Sequence, residues 1–468
     1  MAEADQDGHA MLRIAEVSLI IGIVWAVLAF GGTEPASFAL VQTLYFATAI
    51  MLMANPKSVT ARIPREAIVV PAILASVVLL QLCPLPSGLL QRFARRDIPV
   101  SDGHLTSLSF DPHGTRIHFL ILLTCLVAFY LAQILCHNSA RKHRLIVSFV
   151  ALGTMEAFYG LVQYLTGSQQ IFTYVKKYHT EEATGTYINH NHFAGLLGMI
   201  LPFSLALVFY EHSKLHRNTG QPFSRARNLL SGIGLQRLFL WLITSVVLFA
   251  AILFSRSRMG IIATSASLLA VLGLAGAARF RGKTGLVLAA AFLLLTICVT
   301  AWIGPGPIVE RFENVGQEYT LREGSRLSVW RDTGALIRLH PWLGTGLGTF
   351  PVAYTAVQTT FLGKFVNHAH NDYVELSSDL GIPVAVALFV SIFFVLARSV
   401  RSFHSAGRNL ERAVALGCAG SLIAILVHSV ADFNLYIPAN ALVFSLVLGL
   451  AMCKPSQSLG PRSQAIDS

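Results

Sequence analysis

The segment Asn367-His368-Ala369-His370-Asn371-Asp372-Tyr373-x-Glu375 packs two histidines and two carboxylates into nine positions. Histidine is the natural general base near neutral pH, because its unperturbed pKa is about 6.5. Neighbouring Asn, Asp and Glu side chains can fix its tautomer. The same residues also suit a polar collar capping an apolar helix. A second chemistry is offered by Phe254-Ser255-Arg256-Ser257-Arg258-Met259-Gly260. Its guanidinium groups match a diphosphate by paired hydrogen bonds, or bind lipid headgroups. Residues 325–339 read as a helix, with Gly324-Ser325 as its cap, Leu327, Trp330 and Ile337 as its apolar stripe and His340-Pro341 as its stop. Arg326 then lies in the first turn, where its charge and free backbone N–H groups together favour an anion. Gly344-x-Gly346-x-Gly348 follows without the strand–turn–helix context of a dinucleotide site, and reads as a tight turn. His190, His192, His368 and His370 would make four zinc donors, but no spacing resembles a metal signature, so no metal and no cofactor are expected. Glu156 lies within an apolar stretch, where an ionisable group reads either as functional or as a group near a water-filled cavity with Gln163 or Tyr159 as its partner. His428 and Asp432 are placed to line the same cavity as the other polar groups.

These residues need a scaffold, and composition says which kind. The chain of 468 residues is 54% hydrophobic and only 13% charged, against roughly 25% charged in soluble proteins. So few charges cannot cover a soluble fold, and disordered chains are depleted in apolar residues. Apolar stretches able to cross about 30 Å of hydrocarbon fall at 14–31, 36–54, 67–83, 117–136, 145–166, 192–210, 238–254, 259–278, 285–303, 381–397, 413–430 and 437–453. The third and tenth are short. The expected fold is therefore all-α and polytopic, with about twelve transmembrane helices. Its expected parts are helices one to nine over 1–303, a large partly helical loop over 304–380, three more helices over 381–453, and a tail from 454 to 468.

Charge placement explains the net +11. With the N-terminus inside, the inside segments hold 21 of the 35 Lys and Arg residues, whereas most acidic residues fall outside. This is the positive-inside pattern, so the charge reports topology rather than nucleic-acid binding. Both termini are then cytoplasmic, and the arginines at 256, 258 and 326 share the outer face with His370. An acidic N-terminus (Glu3, Asp5, Asp7) is unlike the basic start of a cleaved signal. Six scattered cysteines without CxxC spacing support neither a disulfide framework nor a zinc knuckle.

Several motifs occur in a recognisable order: Gly185-Thr186-x-x-Asn189-x-Asn191-His192-Phe193-Ala194-Gly195, then Ser257-Arg258-x-Gly260, then Arg326-x-x-x-Trp330 running into His340-Pro341-x-x-Gly344 and His370-Asn371, with Gly381 after. In this order they resemble the bacterial O-antigen ligase/polymerase-like glycosyltransferases, polytopic enzymes acting on polyprenyl-diphosphate-linked glycans at the periplasmic face of the inner membrane. The resemblance covers 185–381, with a weaker likeness from His428 to Asn440. It implies a GT-C-like fold and a metal-independent, inverting transfer. His370 would be the base that deprotonates an acceptor hydroxyl. Arg258 and Arg326 would bind the diphosphate, with Arg256 as a neighbour. Asn189, Asn191, Asn371, His368, Asp372 and Glu375 would support the site. The implied partners are the lipid bilayer, a polyprenyl-diphosphate-linked (undecaprenyl) glycan donor and a glycan or lipid-linked acceptor, with no nucleic acid. The ligase pattern departs at Val384, which leaves ligase and polymerase both open. Two alternatives are a protein O-oligosaccharyltransferase and, in another class, a transporter or flippase.

Overall fold

The computed structural model describes residues 2–56, 63–86, 105–217, 233–277, 283–304, 306, 326–359, 365–407 and 409–453. The Gly324-Ser325 cap, much of the loops 84–116 and 304–380, and the tail from 454 lie outside the described residues. Among the described residues, nine helices are long and apolar enough to cross a membrane, and shorter apolar helices add Glu66–Leu82, Ala290–Ile303 and Pro438–Met452. Each coincides with one of the twelve apolar stretches. The third is short as expected, at 17 residues. The tenth is a full 24 residues, because the helix continues past the apolar run through Arg398 and Arg401. The chain is thus an all-α, multi-pass membrane protein.

In chain order the helices are α1 (Ala2–Leu28), α2 (Pro35–Ala54), α3 (Glu66–Leu82), α4 (Pro112–Leu135), α5 (Ser139–Thr166), α6 (His190–Arg217), α7 (Ile233–Phe254), α8 (Arg258–Ala277), α9 (Lys283–Ile303), α10 (Arg326–Leu339), α11 (Phe350–Ala353), α12 (Asp372–Leu380), α13 (Ile382–Ser405), α14 (Asn409–His428) and α15 (Pro438–Met452). The β structure among the described residues is two small antiparallel pairs, β1 (Pro84–Pro86) with β2 (Leu105–Ser107) and β3 (Gln170–Ile171) with β4 (Tyr174–Val175). Local chemistry sets the helix starts. Asp111 accepts from His113 N at 3.1 Å with Pro112 leading α4, and Asn138 accepts from Ala140 N and Arg141 N at the start of α5. Each satisfies N–H groups that a helix start leaves orphaned.

Helix α6 is the hub. Of its membrane window, 89% is buried, and it packs against α14, α7, α8 and α5. Glycines allow the close approaches: a Cβ on Gly260 would come within 2.6 Å of Ala194, and one on Gly195 within 2.1 Å of Asn434. At one end of the bundle, loops tie to one another. Ala183 N donates to Phe254 O, Asp372 N to Ser429 O, and Phe110 N to Thr345 O. At the other end, Lys142 bonds both carboxylate oxygens of Glu411 at 2.8 Å, and Arg144 grips Glu16 at 2.7 Å. The chemistry-bearing residues therefore gather at one end, and much of the basic charge at the other.

One local expectation changes and another holds. Helix α10 spans Arg326–Leu339 and stops before His340-Pro341, but its buried side is Ser328, Val329, Asp332, Thr333 and Leu336. Leu327, Trp330 and Ile337 are only half-buried. The rotation arises because Asp332 is drawn inward to accept from Thr359 N at 3.0 Å and from its hydroxyl. The glycine run at 344–348 is a tight turn, with positive φ at Gly344, Gly346 and Gly348. Its N–H groups are spent on Ser378 O, Asp379 O and the Asp379 carboxylate, so they are not a phosphate cradle.

Candidate active site

His370 sits in the short link before α12, and its surroundings hold it from both sides. Residue 369 is pinned by Trp330 Nε1, which donates to Ala369 O at 2.8 Å, and by Glu375 Oε2, which accepts from Ala369 N at 2.7 Å. Residue 371 is pinned because the Asn371 side chain caps α12, accepting from Val374 N at 3.1 Å. Between them His370 adopts φ 53°, in the left-handed region. A non-glycine residue is uncommon there, and it persists where its neighbours over-determine it. The polar-collar role suggested by the sequence is thus real for Asn371, but the collar belongs to α12 rather than to a membrane helix.

Phe433, in the α14–α15 turn, is the platform of the site. His368 stacks on it at 3.9 Å between ring centroids, and His370 and His192 meet it edge-on at 4.9 and 4.6 Å. Beside it Asp432 is 1% exposed, with oxygens 3.7 Å from His192 Nε2 and 3.5 Å from His428 Nε2. Asn434 Nδ2 donates to Asp432 at 3.1 Å. Burial would raise the Asp432 pKa, but His192, His428, His370 and Arg326 together hold it below the ordinary carboxylate value. Arg326 also donates to Ala431 O at 2.5 Å. The structure therefore brings His370, His368, His192 and Arg326 around the α14–α15 turn.

Arg258 opens α8, next to Ser257, whose hydroxyl donates to Asn191 Oδ1 at 2.7 Å. Asn189 Oδ1 accepts from Asn191 N at 2.9 Å. The two asparagines thus fix the start of α6 against the start of α8, one residue from His192. Arg256 is directed elsewhere, to Glu181 at 3.0 Å. Of the four outer-side histidines, His192, His368 and His370 meet at Phe433, whereas His190 does not. His190 and His192 are two residues apart on one helix and point to opposite sides, and His190 instead packs against His179.

Along α12, Asp372, Glu375 and Asp379 recur at helical spacing, so their carboxyls share one face. All three are at most 1% exposed, and burial pushes their pKa values well above the ordinary range. Asp372 accepts from Ser429 Oγ at 2.7 Å, fastening α12 to the α14–α15 turn. Asp379 accepts from Gly348 N and the Tyr436 hydroxyl. Glu375 Oε1 lies 2.7 Å from His368 Nδ1. That is ion-pair geometry, yet burial lowers His368 to about 4 and raises Glu375, so the neutral forms are favoured.

The His368 shift has a measurable consequence. Unfolded, this histidine takes a proton below about 6.5; folded, it does so only below about 4. Between these values the unfolded chain binds more protons, so the His368 contribution to stability is present above 6.5 and lost as the pH falls toward 4. His368→Asn keeps a donor near the Nδ1 position without the titration. Its thermal stability in detergent should therefore fall less than the wild type's over this window; parallel curves would refute the assignment. The comparison between the two proteins removes the opposing contribution of the buried acids.

Asp432, His428, Phe433, Tyr436 and Asp379 complete the site, and of these the sequence marks only the first two, as residues lining the same cavity as the other polar groups. Helical spacing from Asp372 could have found Asp379. The aromatic residues carried no signal of their own. Glu156 belongs to none of this. It accepts from Thr186 N and Oγ1, both at 3.0 Å, rather than pairing with Tyr159 or Gln163, which reach Gln170 O instead. Gly185, with φ 58°, lets this turn close, because a Cβ there would lie 2.4 Å from the Glu156 carboxylate.

Next to the site opens an apolar cavity of about 220 Å³ between α3, α4, α13 and α15. His118, Leu435 and Tyr436 line it near His368, while Glu66, Ala67 and Met452 line its far end. It therefore runs nearly the length of the spans, walled by residues such as Leu122, Phe129, Ile392 and Phe444.

Residues 243–390 match the family model described as O-Antigen ligase. The match supports the O-antigen ligase/polymerase-like family that the motifs resemble, and with it a ligase-type glycosyltransferase function in general. It covers the arginines at 256, 258 and 326 and the whole 367–375 segment, but neither the start of α6 nor the α14–α15 turn. No curated protein matches the chain.

Proposed function

We propose that this multi-pass membrane protein transfers a glycan from a polyprenyl (undecaprenyl) diphosphate to an acceptor sugar hydroxyl, at the periplasmic face of the bacterial inner membrane, with both termini cytoplasmic. The observation that carries this reading is His370, fixed by pinned neighbours beside Asp432 and Arg326, in a site whose Tyr436 also lines the apolar cavity between the spans. The polyprenyl tail lies in that cavity. Arg258 and Arg326 hold the diphosphate. His370 takes the acceptor proton as the hydroxyl oxygen attacks the anomeric carbon, and the bond to the diphosphate breaks on the opposite face. One glycosidic bond forms, the anomeric centre inverts, and polyprenyl diphosphate leaves with its new charge neutralised by guanidinium.

The physical demands are modest, which suits this set of residues. A diphosphate is already a good leaving group, so the catalyst supplies position, a base and stabilisation of the departing charge. No divalent cation is needed for that step. Asp432 orients the histidines around it, and Glu375 with Asn371 keeps the base in place. The polar groups converge at one end of the bundle rather than at mid-membrane, which favours transfer over transport.

The decisive test is reconstitution with a defined polyprenyl-diphosphate-linked glycan and a panel of lipid-linked and sugar acceptors. Acceptor-dependent formation of a glycosidic bond of inverted configuration is expected. Movement of the donor across the bilayer without any covalent product would overturn the proposal. Peptide acceptors in the same panel separate this reading from an O-oligosaccharyltransferase.

A further inference from the structure

A second group of donor atoms lies away from His370, on the far side of α6. His179, Glu182 and His190 each contribute one ligand-type atom, and these atoms all fall within 4.8 Å of one another. The two imidazoles lie 4.4 Å apart between ring centroids. His190 is 2% exposed, and its Nδ1 is 2.5 Å from Ser255 O. A carbonyl oxygen can only accept, so Nδ1 carries the proton and Nε2 presents its lone pair. Metal-bound histidines are commonly oriented by such a bond from the other ring nitrogen. His179 reaches the group from a left-handed backbone, with φ 55°.

The surrounding charges are sorted so that one carboxylate faces the histidines. Glu181 is taken by Arg256 at 3.0 Å. The Lys176 ammonium hydrogen-bonds the main-chain oxygen of Glu182, at 3.3 Å, and Thr184 Oγ1, at 3.4 Å, and feels the Glu182 carboxylate only through its charge. Two imidazoles and a carboxylate form a donor set suited to zinc, which accepts three protein ligands and a water. We propose that His179, Glu182 and His190 bind one zinc-class divalent cation that clamps the 176–189 loop to the start of α6 and, through Ser255, to the α7–α8 turn.

This clamp is independent of the transfer reading. The ion takes no part in the reaction at His370, and its test does not require activity. Tag-free full-length protein in detergent would be stripped with a chelator, dialysed and titrated with Zn²⁺. We expect one zinc per chain and a higher unfolding midpoint with the ion bound, because a ligand that binds only the folded state stabilises it. Co²⁺ in its place should give the visible absorption of a four-coordinate site. His190 is buried and its loss could prevent folding, so the informative variants are His179→Ala and Glu182→Gln. Each should weaken zinc by more than about 100-fold, set against the 10–100-fold expected from losing a mere outer-sphere partner. Substoichiometric zinc in the wild type, or stoichiometric binding retained by both variants, would overturn the proposal.

Discussion

Replacing His370 with alanine should lower glycan transfer by about 10²–10⁴-fold, the range spanned by positioned general bases, while membrane abundance stays near normal. Abundance is expected to survive because Trp330, Glu375 and Asn371 hold the neighbouring backbone, not the imidazole. Alanine lacks histidine's several-fold preference for the left-handed region, and the resulting small destabilisation could be mistaken for a catalytic loss. His370→Asn separates the two effects. Asparagine tolerates that backbone better but offers no base near neutral pH. Both variants should therefore be equally inactive, with asparagine the more stable. Near-wild-type transfer by either would remove His370 from the mechanism, and recovery by asparagine alone would reduce it to a backbone role.

The second large effect is expected at the arginines. Arg258→Ala and Arg326→Ala should each cost about 10²–10³-fold in transfer, as loss of a preorganised donor to developing charge does elsewhere. Both should also weaken binding of a purified polyprenyl-diphosphate-linked glycan. Lysine should restore only part of either property, because an ammonium keeps the charge but not the two-pronged geometry. Arg326 also holds the main chain at Ala431, so its alanine variant should lose more than that of Arg258. Arg256, already paired with Glu181, should be the least sensitive of the three. Unchanged donor affinity and transfer in both the 258 and 326 variants would end the diphosphate assignment.

Much of the scaffold could be read from residue order because a membrane imposes a simple rule. Each span must be a long apolar run, and all twelve runs became helices. Titratable groups are rare in such a chain, so those around 367–375 and at 256–258 stood out without any geometry. Contacts between distant segments were not legible. Nothing near Phe433 marks it as a platform for three histidines, since those come from the start of α6 and the link before α12. Which of the four histidines meet was not legible either, because only helix rotation separates His190 from His192. The face of α10 was misjudged for a related reason. An apolar stripe predicts burial only when no buried carboxylate such as Asp332 competes for the interior.

The α14–α15 turn follows the arginines and His370 in the sequence, and it supplies Asp432 and the surface on which the site is built. Helices enter a membrane in the order of synthesis, so a nascent chain already carries its arginines and His370 before this turn emerges. Without Asp432, Phe433 and Ser429, His370 would lose the charged and aromatic groups beside it, and α12 the anchor at Asp372. On the proposed function, transfer would therefore require this turn to pack before the earlier residues can act.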